Sequence, residues 1–191
     1  MDINNDEYYI KQVLKGKTSE YAFLVDKYKN MVFNLALKIT DNRENAEEVA
    51  QDVFIKAYQG LSGFQATSKF STWIYSITYN HSISFLRKKQ LNTCSMDDFG
   101  ALFYETYGET DYQFANLDCI PPQYATKALE NLDKPDQIVL TLYYQNASTV
   151  KEISDITGLS SANVKIRLFR GRKKLLYELK KIFKLEMADL L

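Results

Sequence analysis

Few residues in this 191-residue chain have the types and spacing for covalent chemistry. His81 is the single histidine, and Cys94 and Cys119 stand apart in a polar segment with no histidine beside them. That pattern reads as two free cytosolic thiols, with a disulfide or metal site as the lesser alternative. Phosphate-loop and dinucleotide glycine fingerprints are missing. No cofactor, metal or small-molecule substrate is expected, and the chain does not read as an enzyme. What remains is non-covalent chemistry. Residues 160–184 carry nine basic side chains against one acidic, Glu178. Counted from Ser161, one helical face there presents Lys165, Ile166, Arg167, Phe169 and Arg170, a mixture suited to base edges and adjacent phosphates. Arg172, Lys173 and Lys174 follow, where backbone phosphates are the more natural partners. A second group lies in residues 72–89, where Trp73, Tyr75, Tyr79, Asn80 and His81 are interleaved before Arg87-Lys88-Lys89. Aromatic faces stack on unpaired bases while cations hold phosphates. The alternative is a core face whose basic triplet complements a helix C-terminus.

The elements that position these groups are expected to be helices. Seven glycines and three prolines, none of the latter before Pro121, are too few for the many turns of a sandwich or barrel. A hydrophobic fraction of 46% excludes wholesale disorder. No apolar run approaches the length of a membrane span, and the polar, acidic start MDINNDEYYIKQV does not read as a secretory signal. Apolar residues at helical spacing run from Phe23 to Ile39. A second helix is predicted to open at Asp41, with Glu44 completing a capping box, and to end at Gly60. Its outer face carries Glu47, Glu48, Gln51, Asp52 and Lys56, a solvated face on pattern alone. After a loop over 64–71, Ser71 is a candidate cap for the aromatic helix.

Towards the carboxy terminus, one helical pattern covers 126–142, with Pro135 where a first-turn proline would be tolerated. Thr149 and Glu152 form a capping box for a short helix over 150–157. Gly158 supplies a tight turn, Leu159 plugs the core, and Ser160 caps a longer basic helix to about Leu179. Short helix, glycine turn and basic helix make a helix-turn-helix. A plain helical hairpin with a solvated basic face is the alternative.

The formal net charge is zero, which as a total argues against nucleic-acid binding. Divided, residues 1–94 carry +2, residues 95–149 carry −7 and residues 150–191 carry +5. The predicted architecture is all-α: an amino-terminal domain over 1–92, an acidic linker over 93–126 and a smaller domain over 127–191.

Both halves resemble one family, the extracytoplasmic-function (ECF) sigma factors of bacterial RNA polymerase. FLVDKYKNMVFNLALKIT, NAEEVAQDVFIKAYQGLSGF and KFSTWIYSITYNHSISFLRKK are similar to its region 2, and LDKPDQIVLTLYYQNASTVKEISDITGLSSANVKIRLFRGRKKL to its region 4. The resemblance implies a cytoplasmic, non-catalytic factor that binds core RNA polymerase and promoter DNA and directs promoter recognition, melting and initiation. It implies core-polymerase contacts at Glu48, Gln51, Asp52 and Lys56. Contacts to the −10 element fall on Lys69, Trp73, Tyr75, Asn80, Arg87 and Lys88. Contacts to the −35 element fall on Ser161, Asn163, Lys165, Ile166, Arg167, Phe169, Arg170, Arg172 and Lys173. Factors of this kind are commonly held inactive by an anti-sigma factor. The chain departs from the usual pattern at Ala162-Asn163 and Ile166, near the reading surface, and at Ser154 and Gly171. Its promoter sequence therefore does not transfer. Two other classes compete: a stand-alone helix-turn-helix regulator, which leaves the aromatic helix unexplained, and a small metal-dependent nuclease.

Overall fold

Helix α1 (Asp6–Leu14) opens the computed structural model, which describes residues 6–91 and 122–188. The sequence pattern did not suggest it, since a helix this short is marginal by itself. It is held by tertiary contacts. The Asp6 carboxylate is buried and accepts from the Tyr28 hydroxyl and the Lys27 ammonium, each at 2.6 Å. The Tyr9 and Phe23 rings stack at 3.8 Å.

A 3-10 turn (Thr18–Glu20) leads into α2 (Tyr21–Thr40), which puts Leu24, Tyr28, Val32, Leu35, Ala36 and Ile39 inward, the spacing expected. Only two residues separate it from α3 (Arg43–Gly60), so the chain must reverse at once. Asp41 does this by taking a left-handed conformation, φ 55°, as the cap of α2. The N-cap of α3 therefore falls on Asn42, whose side chain accepts from the Asn45 amide at 2.9 Å, and not on Asp41. Nor does Gly60 stop α3 in the left-handed region. Its φ is −85°, and the chain tightens into a 3-10 turn (Leu61–Gly63). Helix α4 (Phe70–Leu91) begins two residues earlier than a Ser71 cap would start it, with the Lys69 carbonyl accepting from the Trp73 amide. Helices α2, α3 and α4 pack on one another around Leu24, Val32, Val49, Val53, Leu61 and Ile74.

The expected linker over 93–126, with Asp97, Asp98, Glu105 and Glu109, lies outside the described residues as far as Pro121. Its last residues are helical, because α5 runs Pro122–Glu130. The single helix expected over 126–142 is two. Pro135 belongs to the first turn of α6 (Lys134–Tyr144), so the helix restarts there after a break at 131–133. The turn-helix unit is α7 (Val150–Thr157) and α8 (Ser161–Ala188), the latter longer than expected. Its buried stripe Leu168, Leu175, Leu179 and Ile182 continues past Leu179 and packs α8 on α5, α6 and α7. The described residues contain no strand.

Candidate nucleic-acid interface

The turn between α7 and α8 is built as its sequence requires. Thr149 Oγ1 accepts from the Glu152 amide at 3.2 Å, and the Glu152 carboxylate accepts from the Thr149 amide at 2.8 Å. Gly158 has φ 73°, a left-handed conformation that carries little cost only for glycine. Ser160 Oγ accepts from the Asn163 amide at 3.2 Å and starts α8. Burial works against ionisation of Glu152. The Thr149 amide, the Lys69 ammonium and the Thr149 hydroxyl outweigh it and hold the carboxyl below its usual range.

Along α8, Ser161, Lys165, Ile166 and Lys173 are exposed. Ile166 keeps 45% of its surface open. Asn163, Phe169, Arg170 and Arg172 are half-buried at the edges of this stripe. Arg172 donates from Nε to the Tyr144 hydroxyl at 2.8 Å and lies over the Tyr143 ring. Arg167 requires a correction. It is 9% exposed, and its Nη1 donates at 3.0 Å to the buried Asp136 carboxylate, so it braces α8 against α6 and presents nothing to a base edge. Sequence spacing could not separate it from its neighbours, because Asp136 lies 31 residues away. Lys174 joins the same carboxylate at 3.2 Å and also Asp133. Its ammonium is held above the ordinary range, chiefly by the Asp133 hydrogen bond.

A second surface lies between α3 and α4. An open cleft of about 360 Å³ is lined by Lys56, Trp73, Asn80, His81 and Ser84, among others. Trp73 is half-buried, its ring 5.1 Å from Phe64 and 5.5 Å from Phe70, so it is both core and cleft wall. Asn80 is exposed, and His81 Nε2 lies 3.0 Å from the Asp52 carboxylate, tying α4 to α3. Arg87 and Lys88 are exposed at the end of the same helix. Tyr75 is the second correction: at 2% exposure it packs in a core and offers no ring face to a base in this arrangement. Lys69 is exposed but paired with Glu152 at 2.9 Å.

On α3, Glu48, Gln51 and Lys56 are exposed and Asp52 is half-buried against His81. Sequence reading passed over Ile55 and Tyr58, which are 56% and 41% exposed on the same helix. The signal was available: Ile55 stands seven residues after Glu48 and four after Gln51, on the polar stripe.

Fold and surfaces together define an all-helical DNA-binding protein with a helix-turn-helix in its second half and an aromatic cleft in its first. Residues 24–91 match the family model of sigma-70 region 2, and residues 123–175 match that of sigma-70 region 4. The chain is 34% identical to the ECF RNA polymerase sigma factor SigW of Bacillus subtilis, over 90% of this chain and 95% of the relative. It is 31% identical to the Bacillus subtilis ECF sigma factor SigM over 78% of this chain and 88% of that one. Its fold is also that of the sigma factor RpoE of Bartonella quintana, solved in complex with the anti-sigma factor NepR. That likeness has a TM-score of 0.63 at 22% identity, covering 84% of this chain and 97% of the other. The chain belongs to the ECF sigma factors, which direct RNA polymerase to promoters and initiate transcription. The region 2 match accounts for the amino-terminal half that a stand-alone regulator left unexplained. Among the described residues no helix is long and apolar enough to cross a membrane.

Proposed function

We propose that the factor acts without catalysis, in the cytoplasm, through three surfaces placed on separate partners. The α3 stripe of Glu48, Gln51, Lys56 and Ile55 docks on core polymerase. The α3–α4 cleft and the basic end Arg87-Lys88 hold the opened −10 strand, with Trp73 and Asn80 against an unstacked base. The α8 stripe of Ser161, Lys165, Ile166 and Lys173 lies in the major groove of the −35 element, flanked by Asn163, Phe169, Arg170 and Arg172. The expected limits of 1–92 and 127–191 are widened at the second boundary to 122–191, because α5 packs as a whole on α8. An anti-sigma factor is the expected regulatory partner.

The observation that carries this reading is the division of α8 into two faces. One is locked inward through Arg167 and Asp136, and the other leaves Lys165 and Ile166 exposed. A helix fixed from behind presents its open side chains at a constant geometry, which base readout needs. Reconstitution with core RNA polymerase and run-off transcription over a promoter library tests it. Specific initiation that falls with Lys165→Ala and changes promoter preference with Ile166→Ser is the expected result. A chain that does not bind core polymerase would overturn the reading.

A further inference from the structure

The open face of α8 is not uniformly polar. Ala162 and Ile166 lie one turn apart on it and both are exposed, Ile166 at 45%. Residues four apart on a helix are neighbours, so the two side chains make one apolar strip about 6 Å long. Lys165 and Lys173, also exposed, flank the strip. Behind it Val164 and Leu168 are buried, and Arg167 is held at 3.0 Å by the Asp136 carboxylate. The two regions meet elsewhere, through α4 on α7 and α2 on α6, with Ile83 against the cluster they share. Ile166 lies outside that cluster.

In the major groove such a strip has one chemically distinct partner. Every base pair there presents hydrogen-bond donors or acceptors, and only thymine adds an apolar group, its C5-methyl. Isoleucine neither donates nor accepts. Against the polar edge of guanine, adenine or cytosine it would displace water and return no hydrogen bond, an unfavourable exchange. Against a thymine methyl it buries two apolar surfaces together. Ile166 stands in the second turn of α8, within the amino-terminal part that a helix-turn-helix inserts in the groove. The strip is close to two base-pair steps of about 3.4 Å in length, so it covers one thymine or two near neighbours.

We infer that Ile166, with Ala162 beside it, is a specificity-determining residue that reads the C5-methyl of thymine in the −35 element. The inference rests on the sigma-factor reading above and names the base feature that the α8 stripe selects. Phosphate contacts from the flanking lysines position the helix, and the apolar strip chooses the base. The choice is two-sided: the methyl favours thymine, and a base offering only polar atoms at that place is disfavoured. Being apolar, the contact does not follow salt concentration, whereas the lysine–phosphate contacts weaken as salt rises.

The test uses holoenzyme formed from the full chain and core RNA polymerase, on a promoter selected from the library. Each thymine of the −35 duplex is replaced singly by uracil, which removes the C5-methyl and leaves every hydrogen-bonding group in place. Uracil at the thymine under Ile166 is expected to weaken binding about fourfold, the effect of withdrawing one buried methyl. That penalty is expected to vanish with Ile166→Ser and to survive in part with Ile166→Val. It is expected to survive in full with Tyr177→Ala, at a 68%-exposed position further along α8. Between about 50 and 200 mM salt it is expected to stay constant while total affinity falls. A selected −35 element without thymine, a uracil series without a penalty, or a penalty retained by Ile166→Ser overturns the inference. So does a penalty that falls with salt or is lost with Tyr177→Ala. Holoenzyme that initiates specifically yet ignores the methyl sinks this inference alone. A chain that forms no holoenzyme sinks the sigma-factor reading, and this inference with it.

Discussion

Arg167 sits on the reading helix, yet its guanidinium turns inward to a carboxylate that has few other ways to be neutralised. Removing one member of a buried pair leaves the other charge desolvated, at a cost of about 3–5 kcal/mol. Lys174 still reaches Asp136, which places the expected loss near the lower end. Arg167→Ala should lower the unfolding free energy in urea by about 3 kcal/mol. Lys165→Ala, on the open face, should change stability by less than about 0.5 kcal/mol. It should instead reduce the salt slope of −35 DNA binding by about 0.9 per lost phosphate contact, read from affinity against salt concentration. Glu152 gives a pH dependence. Its folded pKa lies below the ordinary 4.5, so its contribution is fully present above that value and fades as pH falls through the folded value. Urea midpoints measured from pH 6 downward should show this loss in the native chain. Glu152→Gln should remove that component and begin from a lower midpoint.

Elements were legible where a local rule is sufficient. The Thr149–Glu152 box, the left-handed Gly158 and the Ser160 cap involve groups within three residues of each other, and each stands where its spacing indicates. Gly158→Ala meets no neighbouring atom, so its cost is backbone strain alone, about 1–2 kcal/mol in a denaturant titration. Gly171 differs in kind. It lies inside α8, where alanine would gain about 1 kcal/mol of helix propensity. A Cβ there would stand 2.9 Å from Cδ1 of buried Leu140. Overpacking costs about 1–3 kcal/mol, so Gly171→Ala should destabilise by about 1 kcal/mol net. Combining it with Leu140→Val should recover part of that loss in a double-mutant cycle. No local pattern announces such a glycine, because the close approach is made by another helix. The cap of α3 moved from Asp41 to Asn42 for a related reason: a two-residue connection uses Asp41 for the reversal. Helix α1 was missed because its stability comes from Tyr28, Lys27 and Phe23 on α2.

At the scale of the molecule, a buried cluster shared by both regions couples their stabilities. The full chain should unfold in a single calorimetric transition, and Ile83→Asp should divide it into two, because cooperativity follows continuous packing. One transition in the variant would show that the shared cluster is not what couples the halves. The zero net charge takes on meaning at this scale as well. It is the sum of a basic reading helix and acidic residues elsewhere, two of which, Asp136 and Glu152, are partners of Arg167 and Lys69. By itself the sequence determined the all-α class, the helix-turn-helix and its family, because helical periodicity, capping and turn chemistry act over a few residues. Tertiary structure alone decided that Arg167 and Tyr75 are buried in this arrangement, that Ile55 is displayed, and that region 4 lies on region 2. Those outcomes depend on partners tens of residues away, and side-chain spacing along one helix does not encode which neighbour will cover a given face.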